Sequence, residues 1–299
     1  TGYGKTIIAL KIIDLLRTKT LIIVPRQNLL TQFKDEIKKY YKYDPGIIQG
    51  SKFEMKDITV ASMPTLKRRD LSLLQNKFGM VIFDECHTAV SDQSITLLSS
   101  FNCRYLYGMS ATPERAADDG RTDALSFSFG PILVDRSLPC KKPVVKFFKS
   151  DIPISSNFNY HEIIKAQVES EERNEKICDI IEEQYKKGRK ILILTKRVAL
   201  YEKITEKLQE RGMDKCYTVR SDLTTKEMRQ QTKFLTELKE GKRDFNVIAG
   251  TYSMLSTGVD IPSLDSLVLA GDIKESLLVQ QSAGRILRLF EGKPTPEII

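Results

Sequence analysis

Long apolar runs are missing from this chain. Those it has, such as Leu21 to Val24 and Ile191 to Leu194, are strand-sized, far short of the roughly 20 residues that a bilayer-spanning helix requires, so no membrane span is expected. Cysteine is sparse: Cys86, Cys103, Cys140, Cys178 and Cys216 are odd in number, widely scattered and without a CxxC pair. That usage argues against a disulfide framework and against a zinc site. It suits a reducing compartment, with the protein intracellular (cytoplasm, nucleus or virion) rather than secreted. Histidine is scarcer still, with 2 residues, and the HExxH spacing of a zinc protease is absent. No low-complexity segment and no short-period repeat interrupts the chain.

What remains is the composition of a soluble globular protein. Hydrophobic residues at 41%, charged residues at 29% and a mean hydropathy of -0.28 exclude disordered and collagen-like chains, and 299 residues predict about two domains. Lys and Arg number 47 against 39 Asp and Glu, giving a net charge of +8 and an isoelectric point near 9.1. Such a balance attracts polyanions through counterion release. A solvated basic surface has the same composition, and the motifs must decide.

Strand and helix alternate along the sequence, the pattern of βαβ units and a parallel sheet. Short β-rich runs at Thr20 to Val24, Ile58 to Ser62, Met80 to Phe83 and Tyr105 to Met109 are separated by stretches of helical spacing such as Gln27 to Tyr40. Strands that are apolar throughout predict burial on both faces, hence a doubly wound sheet. After Pro113 the periodicity weakens, and Asp118, Asp119, Gly120, Pro131, Pro139, Pro143 and Pro153 punctuate the chain. One long helix is expected from Tyr160 to Lys187, stopped by Gly188. A second strand and helix series begins at Lys190 to Thr195 and recurs at Cys216 to Val219, Asn246 to Ala249 and Ser266 to Leu269. The expected organisation is an α/β domain at 1–140, a linker at 141–159 and a second α/β domain at 160–299.

TGYGKT, residues 1–6, is the tail of GxxxxGK[ST], whose first glycine would lie upstream, so further chain is expected before it. Gly2 and Gly4 let backbone N–H groups turn inward around a β-phosphate. Lys5 places a positive charge on the β/γ oxygens, and the Thr6 hydroxyl can ligate magnesium. A helix from Thr6 to Leu16 adds its positive N-terminal end. A glycine-rich turn before a helix looks the same in isolation. MVIFDECH, residues 80–87, then ends an apolar strand in two carboxylates, at the edge where an open α/β sheet binds ligands. Asp84 suits a magnesium ion held through its water shell, and Glu85 suits orienting or deprotonating an attacking water. His87, three residues after Asp84, points toward the phosphate end.

SATP, residues 110–113, follows the strand Tyr105 to Met109, with Pro113 setting the bend. The hydroxyls of Ser110 and Thr112 can bond the carboxylates and the histidine, linking nucleotide state to the second domain. QSAGRILR, residues 281–288, puts Arg285 and Arg288 three apart, on one helix face. Two guanidiniums at that spacing can clamp a γ-phosphate, an effect worth about 10³ to 10⁵ in rate for arginine fingers; a basic stripe on a solvated helix is the alternative. Gly284 argues for close approach. In TGVDIP, residues 257–262, Gly258 and Asp260 sit on a turn whose carboxylate can accept from a nucleotide ribose or from Arg285. Alone, that segment is a plain loop.

With these elements in this order, the chain resembles the two-RecA-lobe motor core of superfamily 2 helicases and translocases. TGYGKT is similar to motif I, DECH at 84–87 to a DEAH-type motif II, SAT at 110–112 to motif III, Thr257 to Pro262 to motif V, and Gln281 to Arg288 to motif VI. VPRQNLLTQF (24–33) is similar to motif Ia, VASMPTL (60–66) to the next nucleic-acid contact segment, and ILILTKR (191–197) to motif IV. The segment 110–132 and QSAGRILR resemble the branch holding the XPB-like repair helicases, phage recombination helicases and poxvirus-type transcript-release helicases. The abundance of lysine and isoleucine would suit a large DNA virus. Ser282 departs from the pattern: it stands where many relatives carry a basic residue, leaving two motif VI arginines rather than three.

The resemblance implies two tandem RecA-like doubly wound domains with ATP and Mg2+ between them. Gly2, Gly4, Lys5, Thr6, Asp84 and Glu85 would come from one side, and Gln281, Arg285 and Arg288, with Gly258 and Asp260, from the other. Thr6 and Asp84 would hold the metal, and His87, Ser110 and Thr112 would couple the lobes. Hydrolysis would require closure. A strand of DNA, or of RNA, would be gripped through its phosphates by Pro25, Arg26, Gln27, Thr65, Lys196, Arg197 and Thr251, without reading base edges. Protein partners or further domains would lie outside this stretch. Two other readings stay open: the motor subunit of a restriction system, and a nucleic-acid-binding scaffold that no longer hydrolyses nucleotide.

Overall fold

The computed structural model describes residues 4–89, 92–111, 121–135, 142–149, 158–220, 222–252, 261–273 and 276–299. The chain forms two compact units, residues 2–138 and 139–299.

In the first unit, β1 (Thr20–Val24), β2 (Gly46–Gln49), β3 (Lys52–Phe53), β4 (Ile58–Ser62), β5 (Met80–Asp84) and β6 (Tyr105–Met109) form one sheet in the order β3-β2-β4-β1-β5-β6. Every pairing is parallel except the β2–β3 hairpin. The strands β1, β4 and β5 are buried at every residue, as strands apolar throughout must be when helices cover both faces. Side chains alternate between two cores, one per face. Ile22 and Val24 pack with Ala9, Leu10 and Ile13 of α1 (Lys5–Leu16) and with Leu30, Phe33 and Ile37 of α2 (Gln27–Tyr41). Leu21 and Ile23 face the opposite core, where α3 (Met63–Leu66), α4 (Asp92–Ser99) and α5 (Arg121–Phe129) contribute Met63, Leu66, Leu97, Leu98 and Leu125.

In the second unit, β7 (Val144–Val145), β8 (Ile191–Thr195), β9 (Cys216–Val219), β10 (Val247–Thr251), β11 (Ser266–Leu269) and β12 (Glu297–Ile298) form a wholly parallel sheet ordered β7-β12-β11-β8-β10-β9. On one face Ile191 and Ile193 meet α7 (Glu171–Lys186) and α8 (Val198–Glu210) through Ile177, Ile181, Tyr201 and Ile204. On the other, Leu192 and Leu194 meet α9 (Thr225–Lys239) and α10 (Ser276–Ile286) through Leu238 and Ile286.

Two expectations need correction. The helix expected over Tyr160 to Lys187 is two helices, α6 (Tyr160–Glu169) and α7. Ser170, extended at φ -68° and ψ 102°, accepts a bond from the Arg173 N–H and caps the second, while Asn159 and Glu162 form a capping box at the start of the first. A serine followed by Glu171 and Glu172 is itself an N-terminal signal, which the unbroken apolar spacing across it conceals. The segment 141–159 is also more than a connector, because its Val144–Val145 strand closes the edge of the second sheet. The Val144 N–H donates to the Pro296 carbonyl and the Lys146 N–H to that of Ile298. A two-residue strand lies below what periodicity can reveal. Among the described residues, no helix is long and apolar enough to cross a membrane.

Candidate functional site

Register assembles the first cluster. β5 lies between β1 and β6, with Phe83 beside Ile23 and Asp84 beside Met109, so the residues that follow β5 and β6 emerge side by side at the carboxyl edge. Asp84 ends its strand buried, and burial pushes its carboxyl up to about 6 against the pull of Lys5. Glu85 then turns the chain with φ 49° and ψ 48°, a left-handed conformation that a side chain with a Cβ adopts at a cost. A 3-10 turn, Cys86–Thr88, follows. Cys86 packs against β6, where Gly108 has no room for a side chain: a Cβ there would stand 3.0 Å from the Cys86 sulfur and from the Phe129 ring.

The phosphate-loop residues reach the same place. Gly4 is left-handed at φ 76° as the N-cap of α1, a backbone that glycine adopts freely, and Lys5 opens the helix. The Lys5 ammonium lies 2.6 Å from Glu85 Oε1 and 3.7 Å from Asp84 Oδ1. Glu85 Oε2 stands 3.4 Å from His87 Nδ1, and the same ring nitrogen is 2.9 Å from Ser110 Oγ. His87 is buried. A line of polar contacts therefore runs Lys5, Glu85, His87, Ser110, from the start of α1 to the end of β6, its Glu85–His87 step an approach rather than a hydrogen bond. Asp84 Oδ1 and Glu85 Oε2 are both buried and accept no hydrogen bond among the described residues. Two carboxylate oxygens withdrawn from water without donors are costly, and a hydrated cation held between them and the Thr6 hydroxyl fits such acceptors chemically. Gly2 and Thr112 lie outside the described residues.

The residues expected on a nucleic-acid path sit at carboxyl ends of neighbouring strands. Val24 pairs with Ser62, so Pro25, Arg26 and Gln27 leave the sheet beside Met63–Thr65; Thr195 pairs with Thr251, which brings Lys196 and Arg197 beside the end of β10. Arg26, Gln27, Lys196 and Arg197 are exposed. Thr65 Oγ1 accepts a bond from the Gly50 N–H at 3.0 Å, and Lys196 covers the Tyr160 ring, 4.6 Å from its centroid, while bonding its hydroxyl.

In the second unit Gln281 and Arg285 lie on α10, but Arg288 does not. The helix ends at Ile286, one further bond runs from the Leu287 N–H to Ala283, and the chain then bends. The expectation of two arginines on one helix face is corrected accordingly: Ile286, fully buried, anchors the last turn, and Arg288 follows on the bend. Burial lowers the Arg288 guanidinium from its ordinary value. Ser282, where a basic residue was expected from the pattern, is also fully buried and bonds the Leu278 carbonyl, which leaves no place for a charged chain. Gly258 and Asp260 lie outside the described residues.

Sequence reasoning missed a second charged cluster, at the amino edge of the second sheet. Glu297 accepts from Lys146 at 2.7 Å and from Arg189 at 2.9 Å, and Arg189 approaches Asp265 at 3.9 Å. Asp265 Oδ1 accepts from the Lys190 N–H, and Lys293 bonds the carbonyls of Pro262 and Arg288. The only signal was a charged residue directly before each apolar run, at Arg189, Lys190 and Asp265. Among the described residues, no group of three or more His, Cys, Asp or Glu is placed to hold a metal.

A largely parallel sheet with Lys5 and an acidic pair at its carboxyl edge, followed by a second parallel sheet, is a tandem RecA-like architecture. Comparison with known proteins agrees. Residues 1–115 match the family described as type III restriction enzyme, res subunit, and residues 172–290 match the helicase conserved C-terminal domain. The chain belongs to the superfamily 2 helicases, a family of nucleic-acid-dependent motors.

Three relatives span the expected branch. The DNA 3'-5' translocase XPB2 of Sulfurisphaera tokodaii is 28% identical over 96% of this chain and 73% of its own length. The ATP-dependent DNA helicase uvsW of Enterobacteria phage T4 is 26% identical over 92% of this chain and 57% of its own, and the transcript termination protein A18 of fowlpox virus is 26% identical over 99% and 67%. The chain thus spans between just over half and three quarters of the length of these relatives. In fold it is similar to the Hef helicase domain of Pyrococcus furiosus, with a TM-score of 0.61 at 16% identity, covering 100% of this chain and 90% of that one.

Proposed function

We propose that the protein is an ATP-hydrolysing motor that moves along or unwinds nucleic acid, DNA foremost. The single observation that carries this reading is the acidic pair Asp84 and Glu85 at the end of β5, each with one buried oxygen that accepts no hydrogen bond among the described residues, set against the Lys5 ammonium. In this reading Lys5 exchanges the Glu85 carboxylate for β/γ-phosphate oxygens; Thr6 and Asp84 would hold Mg2+, which would neutralise charge on those oxygens. Glu85, freed from Lys5, orients the attacking water. His87 and Ser110, which join that carboxylate to the end of β6, are assigned to coupling together with Thr112. Gly2 and Gly4 are assigned to the phosphates, and Gly258 and Asp260 to the nucleoside end.

Gln281, Arg285 and Arg288 are assigned to the γ-phosphate, where guanidiniums stabilise the charge of phosphoryl transfer. Pro25, Arg26, Gln27, Thr65, Lys196, Arg197 and Thr251 are assigned to the sugar-phosphate backbone of the strand. Movement on duplex without strand separation is a second reading, favoured by the name of the archaeal relative, a translocase.

The test is an ATPase assay with single-stranded DNA, duplex DNA and RNA, followed by strand displacement. Stimulation by nucleic acid is expected to fall as salt rises; an ATPase indifferent to both nucleic acid and salt would sink the motor reading. Glu85→Gln is expected to lower turnover by about 100-fold or more while leaving nucleotide binding intact. Retained hydrolysis would remove Glu85 from the role.

A further inference from the structure

The chain after α10 does something that none of the motif assignments requires. It bends through Leu287 to Phe290, turns at Gly292 with φ 74°, and carries Lys293 back against the fold, half-buried, its backbone N–H donating to the Phe290 carbonyl at 3.2 Å. The Lys293 ammonium donates to two main-chain carbonyls, that of Pro262 at 3.1 Å and that of Arg288 at 3.0 Å. Pro262 is the last residue of the Thr257 to Pro262 motif, and Arg288 the last of Gln281 to Arg288. One side chain therefore joins the ends of two motifs that lie far apart in sequence.

The Pro262 end of this tie is itself fixed to the sheet. The Leu264 N–H bonds the Ile261 carbonyl, the Asp265 N–H bonds that of Lys190 just before β8, and the Asp265 carboxylate accepts from the Lys190 N–H. Through Lys293, Arg288 is referenced to the base of β8 and β11 rather than hanging from the helix that precedes it. That matters because Arg288 lies beyond the last turn of α10, where a carbonyl has no partner within the helix and the backbone would otherwise fray. Burying an ammonium is expensive, and burial and the Arg288 charge push Lys293 down to about 8 although the Asp265 carboxylate opposes them. A turn that needed only to be closed would be served as well by a neutral donor.

We propose that Lys293 is a positioning residue for phosphoryl transfer, its ammonium clamping the Pro262 and Arg288 carbonyls so that the Arg288 guanidinium is held at a fixed height above the sheet. This rests on the assignment of Arg288 to the γ-phosphate. The expected consequence lies in the transition state rather than in binding, since a misplacement of about 1 Å can cost a catalytic group up to about 100-fold.

The test compares the full chain with Lys293→Met, which keeps the stem and removes every donor, and with Lys293→Arg, which restores charge and donors. In ATPase assays with the nucleic acid that stimulates the wild type most, Lys293→Met is expected to lower kcat by about tenfold or more, with KM for ATP and half-saturating nucleic acid within about twofold. Lys293→Arg should recover kcat to within about threefold of wild type. A role confined to stability would lower the melting temperature without this split. Should Lys293→Met melt below the assay temperature, Lys293→Gln, with an amide on a shorter stem, carries the comparison, and a kcat about three- to tenfold down is expected. The proposal is overturned if the donor-deficient variant keeps kcat within about twofold of wild type, if KM rises in step, or if Lys293→Arg falls as far as Lys293→Met. A wild-type chain without stimulated turnover defeats the assignment of Arg288 and this inference together; an active wild type with an indifferent Lys293→Met defeats the inference alone.

Discussion

The carboxyl edge of the first sheet and the amino edge of the second gather charge in opposite ways. At the first, buried Asp84 and half-buried Glu85 each keep one buried oxygen that accepts no hydrogen bond among the described residues, and one lysine faces both carboxylates. At the second, Glu297 has both Lys146 and Arg189, and Asp265 has the Lys190 N–H with Arg189 nearby; none of these five residues has a described buried side-chain atom without a partner. The carboxylates titrate accordingly. Burial pushes Asp84 up to about 6, whereas at Glu297 burial is outweighed by Lys146 and Arg189, which hold it below the ordinary value. Asp265 titrates like Asp84 although it has partners: burial pushes it up to about 6 while Arg189 pulls the other way. A cluster satisfied within the fold holds the fold together. A cluster left short of donors is an unspent capacity to bind charge, and it lies where an open sheet presents ligands.

The largest expected effect tests whether Arg288, though it adjoins the satisfied edge, belongs functionally with the unsatisfied one. Arg288→Ala removes the guanidinium but spares the main-chain carbonyl that Lys293 bonds. It is expected to cost about 3 kcal/mol or more in transition-state stabilisation, read as kcat/KM in the stimulated ATPase, with little change in urea midpoint. A rate within about twofold of wild type would remove it from the arginine-finger role.

Next in size is Glu297→Gln, which leaves Arg189 and Lys146 facing a neutral amide. A loss of about 2 kcal/mol in urea unfolding is expected at pH 7. Because Glu297 is depressed in the fold, its contribution is present above the unfolded carboxylate range and disappears as pH falls through the folded value, so variant and wild type should converge in acid. Equal stability at neutral pH would show that the satisfied cluster contributes nothing.

Asp84→Asn should act with the opposite sign. The folded protein retains the Asp84 proton between the ordinary value of 3.8 and about 6, where the unfolded chain has released it, so this group weakens the fold progressively as pH rises through that window. Its removal is expected to stabilise the nucleotide-free protein by about 1 kcal/mol at pH 7.5, after allowance for the amide that is buried instead, while turnover is lost. A destabilised Asp84→Asn would mean that Lys5 compensates this carboxylate fully, and the contrast between the two edges would disappear.

Much of this architecture was legible in local pattern. Thr20 to Val24, Ile58 to Ser62, Tyr105 to Met109, Cys216 to Val219 and Ser266 to Leu269 are strands with the bounds their composition announces, most plainly in the central strands, since one covered on both faces must be largely apolar. The acidic pair was readable for the same reason, as the point where such a run breaks into charge. The short strands β3, β7 and β12 were not, since two residues carry no period. Nor was the break at Ser170, where apolar spacing continues across a capping residue.

Spacing in the chain thus dictated which segments become strands and helices and which side chains have the chemistry to meet a phosphate, since both depend on residues within a turn or a strand of each other. Contacts between distant segments settled the rest: the 2.9 Å approach of His87 to Ser110, the departure of Arg288 from the end of α10, and the return of Lys293 to join Pro262 and Arg288. Hydrogen bonds and ion pairs form between whichever groups the packed sheets bring within about 3 Å of each other, and that proximity is a property of the closed core, invisible to any window along the sequence.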